Sequence, residues 1–234
     1  GIIVVMKDVR ERVAEIREKT SEACRKAGRS CDAVKILAAG KKRTPEEIDS
    51  VFQAGIGVIG ENRVQEAGQK IPLCSSGVEW HMIGHLQGNK VREAVRLFSM
   101  IHSVDSLKLL RAIDRICGES GRTVSVCLEV NVAGESSKFG LAPGDVPAIL
   151  EDSSNLVNVD LSGYMTVPPY SQDPEDSRRY FSRLRELGDR WADDTGIALE
   201  ELSMGMSGDY EVAVEEGATW IRPGTALFGP RRAK

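Results

Sequence analysis

Val34-Lys35-Ile36-Leu37-Ala38-Ala39-Gly40-Lys41-Lys42-Arg43-Thr44-Pro45-Glu46-Glu47-Ile48 holds one complete structural unit. The apolar run that ends at Gly40 suits a buried strand, and a basic turn follows it. Thr44-Pro45-Glu46-Glu47 then supplies a capping hydroxyl, a proline fit for a first helical turn, and acids for the positive helix end. The unit recurs along the chain. Strands are expected at 34–40, 57–60, 79–84, 100–104, 123–132, 161–167, 201–205 and 219–222. Helices are expected between them at 45–54, 63–70, 88–97, 106–118, 144–152, 174–195 and 209–216. A longer helix precedes them over 6–28, where Val9, Val13, Ile16 and Ala23 form a stripe among charges. Asp105-Ser106 and Asp173-Pro174-Glu175 are further helix starts, and Gly28, Gly118 and Gly217 are the stops. Eight strands alternating with helices predict an α/β fold, a single (β/α)₈ TIM-type barrel. The first helix is then an extra N-terminal one, closing against the last strand. A doubly wound open sheet is the alternative.

The 234 residues contain no linker or low-complexity tract, so residues 1–234 read as one domain. Lys and Arg number 31 against 35 Asp and Glu, a net charge of −4, which argues against nucleic-acid binding. No apolar run reaches the ~18 residues that span a bilayer. Gly1-Ile2-Ile3-Val4-Val5-Met6 lacks the basic leader of a secretory signal. Residues 1–5 read as an addition ahead of a natural start at Met6. The five cysteines, Cys24, Cys31, Cys74, Cys117 and Cys127, are odd in number and include no CxxC pair. They predict neither a disulfide framework nor a zinc site, and a reducing cytoplasm.

In a barrel, function gathers at the C-terminal strand ends. Strand alternation puts Leu37, Ala39 and Lys41 on one face. If that face is the interior, Lys41 stands at the barrel mouth, where partial desolvation makes an amine a usable nucleophile for a Schiff base. The plainer reading is a solvated basic turn, Lys41-Lys42-Arg43. His81 and His85 would lie ~13 Å apart on a strand, too far to share a metal, and no metal site is expected. Ser203 to Asp209 and Arg222 to Gly229 follow strands seven and eight with small residues, the loop pair in which barrels often hold phosphate. Gly224, open to a close backbone approach, and the Thr225 hydroxyl are the candidates there; two glycine-rich turns and a capping serine are the equal alternative. Gly55 to Gly60 matches GxGxxG but follows a helix and enters a strand, the wrong context for a dinucleotide fingerprint. Gly205-Met206-Ser207-Gly208 falls one residue short of GxSxG, and no histidine follows it.

Further segments carry a resemblance: Gly60-Glu61-Asn62-Arg63-Val64-Gln65-Glu66, Trp80-His81-Met82-Ile83-Gly84-His85-Leu86-Gln87-Gly88-Asn89-Lys90, Ile101-His102-Ser103-Val104-Asp105, Lys138-Phe139-Gly140, and Arg222-Pro223-Gly224-Thr225. With Leu37 to Lys41 and Ser203 to Ser207, the chain resembles the YggS/PROSC family of pyridoxal-phosphate-binding proteins over nearly its whole length. The resemblance implies a fold like the N-terminal barrel of alanine racemase. It also implies that the lysine ending strand one carries pyridoxal 5′-phosphate (PLP) covalently as a Schiff base. The family spacing to the GEN segment and strand parity both select Lys41 over Lys42. Gly40-Lys41-Lys42 replaces the family's usual Ser-Lys-Thr, and the proline falls one place late, at Pro45. The resemblance further implies that Ser207, Gly224 and Thr225 bind phosphate, that Arg222 faces the pyridine nitrogen, that Asn62 lies by the ring, and that His85 and Met165 line the pocket. A permanent guanidinium cation opposite that nitrogen weakens the ring as an electron sink.

Racemisation needs acid–base groups on both faces of the ring. Lys41 serves one face, and none of Tyr164, Tyr170, Tyr180 and Tyr210 is marked as the second. The expected function is therefore PLP storage or transfer in intracellular vitamin B6 and amino-acid homeostasis, not turnover. The expected protein is cytoplasmic and monomeric, with PLP-dependent apoenzymes as possible acceptors. A weak amino-acid racemase, and a barrel for another phosphate ligand, are the alternatives.

Overall fold

The computed structural model describes residues 7–136 and 138–231. The suggested start at Met6, with residues 1–5 ahead of it, lies outside them. Nine parallel strands form one sheet: β1 Lys35–Ile36, β2 Ala38–Ala39, β3 Val58–Glu61, β4 Glu79–Met82, β5 Met100–Val104, β6 Val124–Glu129, β7 Val159–Met165, β8 Glu201–Ser203 and β9 Trp220–Ile221. Their spatial order is β1-β9-β8-β7-β6-β5-β4-β3-β2. β1 and β2 are consecutive pieces of the first expected strand, so that order is a ring. Leu37 N donates to Ile221 O at 3.0 Å and Ala39 N to Pro223 O at 2.9 Å on one side. On the other side Ala38 and Ala39 pair with Ile59 and Gly60. The eight expected strands are present, the first divided at Leu37, and the sheet is a barrel rather than an open doubly wound layer.

The helices are α1 Val9–Ala27, α2 Pro45–Gln53, α3 Val64–Lys70, α4 Val91–Leu97, α5 Leu107–Ser120, α6 Val146–Ser153, α7 Glu175–Thr195, α8 Tyr210–Glu215 and α9 Thr225–Phe228. Their starts follow the capping signals. Thr44 and Glu47 form a reciprocal capping box on α2, Ser106 Oγ accepts from Leu109 N, and Asp173 Oδ1 accepts from Glu175 N. Two expectations are corrected. The extra helix α1 packs chiefly on α8 and α9, in the outer helical layer, rather than on the last strand. Gly118 does not stop α5; Gly121 does, at φ 65°. A Cβ at Gly118 would sit 2.7 Å from Asn158 Nδ2, so that glycine admits a neighbouring loop. The single-turn α9 was not anticipated.

Strand alternation sorts two cores. Leu37, Met100, Cys127, Met165 and Trp220 meet inside the barrel, whereas Ala38, Ile59, Met82 and Ile101 join the layer between sheet and helices. Gly60 shows how tightly the interior is filled: a Cβ there would come within 2.6 Å of Leu37 Cδ1. Of the glycines in the false GxGxxG match, Gly60 therefore serves barrel packing, while Gly55 turns the chain at φ 110°. Leu37 inside and Ala38 outside fix the parity that brings Ala39 and Lys41 to the barrel mouth.

Candidate functional site at the barrel mouth

A cavity of about 480 Å³ opens at the C-terminal strand ends, and Lys41, Asn62, Ser207, Arg222, Gly224 and Thr225 all line it. Those are six of the eight residues singled out from the sequence. His85 and Met165 are not among its walls. They line an adjoining cavity of about 320 Å³ with Glu129, Asn131 and Phe139. Ile83, Lys138 and Val167 are common to both cavities. Met165 is buried in the barrel interior, and His85 stacks on Phe139 with ring centroids 3.9 Å apart while its Nδ1 lies 3.2 Å from Asp105 Oδ2. Lys41 and Asn62 also line a third cavity, of about 430 Å³, with Arg63, His85 and Lys90.

One end of the main cavity is made of backbone. Ser207 Oγ accepts from Gly224 N at 2.9 Å and from Ala226 N at 3.0 Å. Two amides converging on one oxygen form a cradle of the kind that holds a phosphate oxygen. The neighbouring glycines divide by purpose. Gly205 is required by the fold: its φ is 102°, and a Cβ would lie 2.6 Å from Ala213 Cβ. Gly224 is not: a Cβ there would only touch Ala39 at 3.4 Å. The absent side chain at 224 keeps the backbone open toward the cavity.

Arg222 forms the floor and is buried. Its Nη1 donates to Ser203 Oγ at 2.8 Å and its Nη2 to Thr166 O at 3.3 Å. Burial lowers its pKa to about 10, still a cation at neutral pH. From Ser203 a polar chain runs through the interior, with Ser203 Oγ 2.7 Å from His102 Nδ1 and His102 Nε2 3.0 Å from His81 Nδ1. Burial, and then the charge of its neighbours, holds His102 well below the ordinary histidine value, so it is neutral. Arginine only donates, so Ser203 accepts from Arg222 and can pass its own hydrogen to His102. His81 and His102 thus belong to one buried network. Among the described residues no group of three or more His, Cys, Asp or Glu could hold a metal ion.

The lysine end is built differently. Lys41 is half-buried and Lys42 exposed, the latter at φ 61°. Arg43 is not part of a solvated turn: it is buried, donating through Nη2 to Gly229 O at 2.6 Å and through Nη1 to Glu47 Oε2 at 3.2 Å. Beneath the turn, Lys70 Nζ donates to Gly40 O at 2.8 Å, Glu61 Oε1 at 2.8 Å and Glu66 Oε2 at 3.0 Å. The sequence reading did not single out Lys70 or Glu61. The four-residue spacing of Glu66 and Lys70 was the available signal, since such a pair shares a helix face. Glu129 was also missed: burial, then the nearby Asp105 carboxylate, raises its pKa to about 7.

The alanine racemase N-terminal domain family matches residues 10–232. This match and the closed barrel define the class, a barrel of the alanine racemase N-terminal type. A protein of Aquifex aeolicus named pyridoxal phosphate homeostasis protein is 44% identical over 223 residues, covering 95% of this chain and 98% of its own length. A protein of Pseudomonas aeruginosa with the same name is 40% identical, with 97% of each chain covered. PipY of Synechococcus elongatus, solved with PLP bound, superposes with a TM-score of 0.85 at 37% identity, covering 95% of this chain and all of that one. Solved without PLP, it superposes at 0.86. The chain belongs to the pyridoxal phosphate homeostasis protein family.

Proposed function

We propose that this chain binds pyridoxal 5′-phosphate through Lys41 and acts in intracellular vitamin B6 and amino-acid homeostasis, storing or handing on the cofactor rather than turning over a substrate. The observation that carries the reading is one cavity lined by an amine at Lys41, a serine hydroxyl at Ser207 held by two backbone amides, and a fixed cation at Arg222. The names of the relatives and the PLP-bound structure of PipY support it. The residues present fit the group. Ser207, Gly224 and Thr225 would hold the phosphate, Arg222 would face the ring nitrogen, and Asn62 would lie beside the ring. His85 and Met165 would act from the adjoining cavity. When bound, the cofactor supplies an aldehyde that condenses reversibly with a lysine amine, with loss of water.

Each residue has a definable task. The Ser207 hydroxyl, itself held by the Gly224 and Ala226 amides, fixes one end of the ligand. Arg222 keeps its protons near neutral pH and does not act as an acid. Lys41 Nζ is the nucleophile, at a mouth open enough for exchange. No metal is required by this scheme. We assign residues 1–234 to one PLP-binding unit that works as a monomer, with PLP-dependent apoenzymes as acceptors. We place it in a reducing cytoplasm, consistent with five free thiols. Among the described residues no helix is long and apolar enough to cross a membrane.

A second reading, a weak amino-acid racemase, is favoured by Glu129, whose raised pKa suits proton transfer near neutrality. Conversion of one amino-acid enantiomer to the other by the PLP-loaded protein, lost in Glu129→Gln, would establish it. The main test is an absorbance spectrum with PLP, followed by borohydride reduction and peptide mapping. The expected result is a visible imine band and one reduced adduct, on Lys41, both absent in Lys41→Ala. An adduct scattered over surface lysines and unchanged in Lys41→Ala would overturn the reading in favour of a site for some other phosphate compound.

A further inference from the structure

Three charged side chains, Glu61, Glu66 and Lys70, cluster under the Lys41 turn outside the cavity that receives the ligand. Glu61 is fully buried and Lys70 nearly so. The Lys70 ammonium has three hydrogens and spends each on one acceptor: Gly40 O, Glu61 Oε1 and Glu66 Oε2. Glu66 Oε2 in turn accepts from Lys42 N at 3.2 Å. The cluster therefore grips the peptide before Lys41 and the amide after it. Glu61 Oε2 has no hydrogen-bond partner among the described residues.

Such a cluster is a poor means of stabilising a fold. Desolvating three charges costs about as much as their attraction returns, and apolar side chains of similar volume often serve as well. What apolar side chains could not do is bind Gly40 O and Lys42 N. The local backbone calls for that grip. Lys42 is the one non-glycine residue with positive φ among the described residues, and an L side chain there is strained. Gly40 makes the approach possible: a Cβ at that position would come within 2.9 Å of Glu61 Oε1, Ile48 Cδ1 and Ile59 Cγ2 alike.

We propose that Lys70, held by Glu61 and Glu66, is a positioning residue for Lys41: it fastens the strained turn on both sides of the lysine and so holds the amine at the cavity mouth. This rests on the reading of Lys41 as the PLP lysine. The cluster touches neither phosphate cradle nor Arg222, so it acts on imine formation and not on docking of the phosphate and ring.

The test compares two ligands on the full chain. PLP can form the imine; pyridoxine 5′-phosphate, which has no aldehyde, reports docking alone. In Glu66→Ala the affinity for PLP is expected to fall by about 3- to 10-fold, the worth of one hydrogen bond, with pyridoxine 5′-phosphate binding unchanged. In Lys70→Met the same ratio is expected to move further. Adding Lys42→Gly to Glu66→Ala relieves the positive-φ strain and is expected to restore most of the PLP affinity. The Glu66→Ala and Lys42→Gly pair lies at the exposed side of the cluster and decides the matter even where Lys70→Met fails to fold. Equal losses for both ligands, or an unchanged ratio in Glu66→Ala, overturn the positioning role while leaving Lys41 as the PLP lysine. Absence of a Lys41 adduct in the unsubstituted chain overturns both.

Discussion

The two ends of the cavity are held by different physics. At the phosphate end, two backbone amides meet one serine hydroxyl, and no ionised side chain takes part in that contact. At the lysine end, the backbone is gripped by a buried carboxylate, a buried ammonium and a second, half-buried carboxylate. Neutral amides need only the loop to be in place. Buried charges need each other, since removing one leaves its partner desolvated and unmatched. The difference teaches where the molecule is fragile: the lysine end is sensitive to side-chain identity and to pH, the phosphate end chiefly to backbone shape.

The largest break in that contrast is expected from Lys70→Met. It strands Glu61, which is fully buried, and should cost about 3–5 kcal/mol of folding stability. Urea denaturation at pH 8, where Glu61 is ionised, measures it. A loss under about 1 kcal/mol would show that the cluster is solvated, and the contrast between the two ends would fail.

A smaller effect sharpens the contrast through pH. Burial raises the Glu61 carboxyl to about 7, against the attraction of Lys70. The folded protein therefore holds this proton more tightly than the unfolded chain does, between the ordinary glutamate value of 4.5 and about 7. Across that window the contribution of Glu61 to stability falls as pH rises, and above it the loss is complete. Glu61→Gln removes the titration. The melting temperature of Glu61→Gln relative to the parent should climb from pH 5 to pH 7.5 and then level off. A difference that stays flat over the same range would place the Glu61 pKa near its ordinary value.

Much of this architecture was legible from residues alone, and the exceptions have physical causes. Periodicity and caps located all eight barrel strands, because each strand–helix unit carries its own local signals. Parity grouped Lys41 with Leu37 and Ala39, because alternation is a property of the strand itself, but only the packing of Leu37 inside the barrel makes that face the interior one. Arg43 and Lys70 were not legible as buried groups. Their burial depends on partners far along the chain: Gly229 O for Arg43, and Gly40 O and Glu61 for Lys70. His85 and Met165 are expected in the main cavity yet line the adjoining one: the His85 ring turns to Phe139 and Asp105, and Met165 packs in the barrel interior. The helix stop at Gly118 failed for a similar reason: what that glycine accommodates is Asn158, forty residues on in the chain.

The smallest stability effect belongs to the phosphate end, at Gly224. Its φ of −112° lies outside the left-handed region, and an added Cβ would make only ordinary contact with Ala39. Gly224→Ala should therefore alter folding stability by less than about 0.5 kcal/mol, as at an undemanding surface position. The same methyl would nevertheless stand beside the amide cradle, where the ligand's backbone contact is expected. Affinity for pyridoxine 5′-phosphate should fall several-fold while the melting temperature holds. Ser207→Ala differs in kind, because it removes the oxygen on which both amides converge and should cost about 1 kcal/mol of stability as well. If Gly224→Ala binds the analogue as tightly as the parent does, the cradle at this loop is not where the phosphate sits. The neutral end of the cavity would then be a structural turn, and the comparison would rest on the lysine end alone.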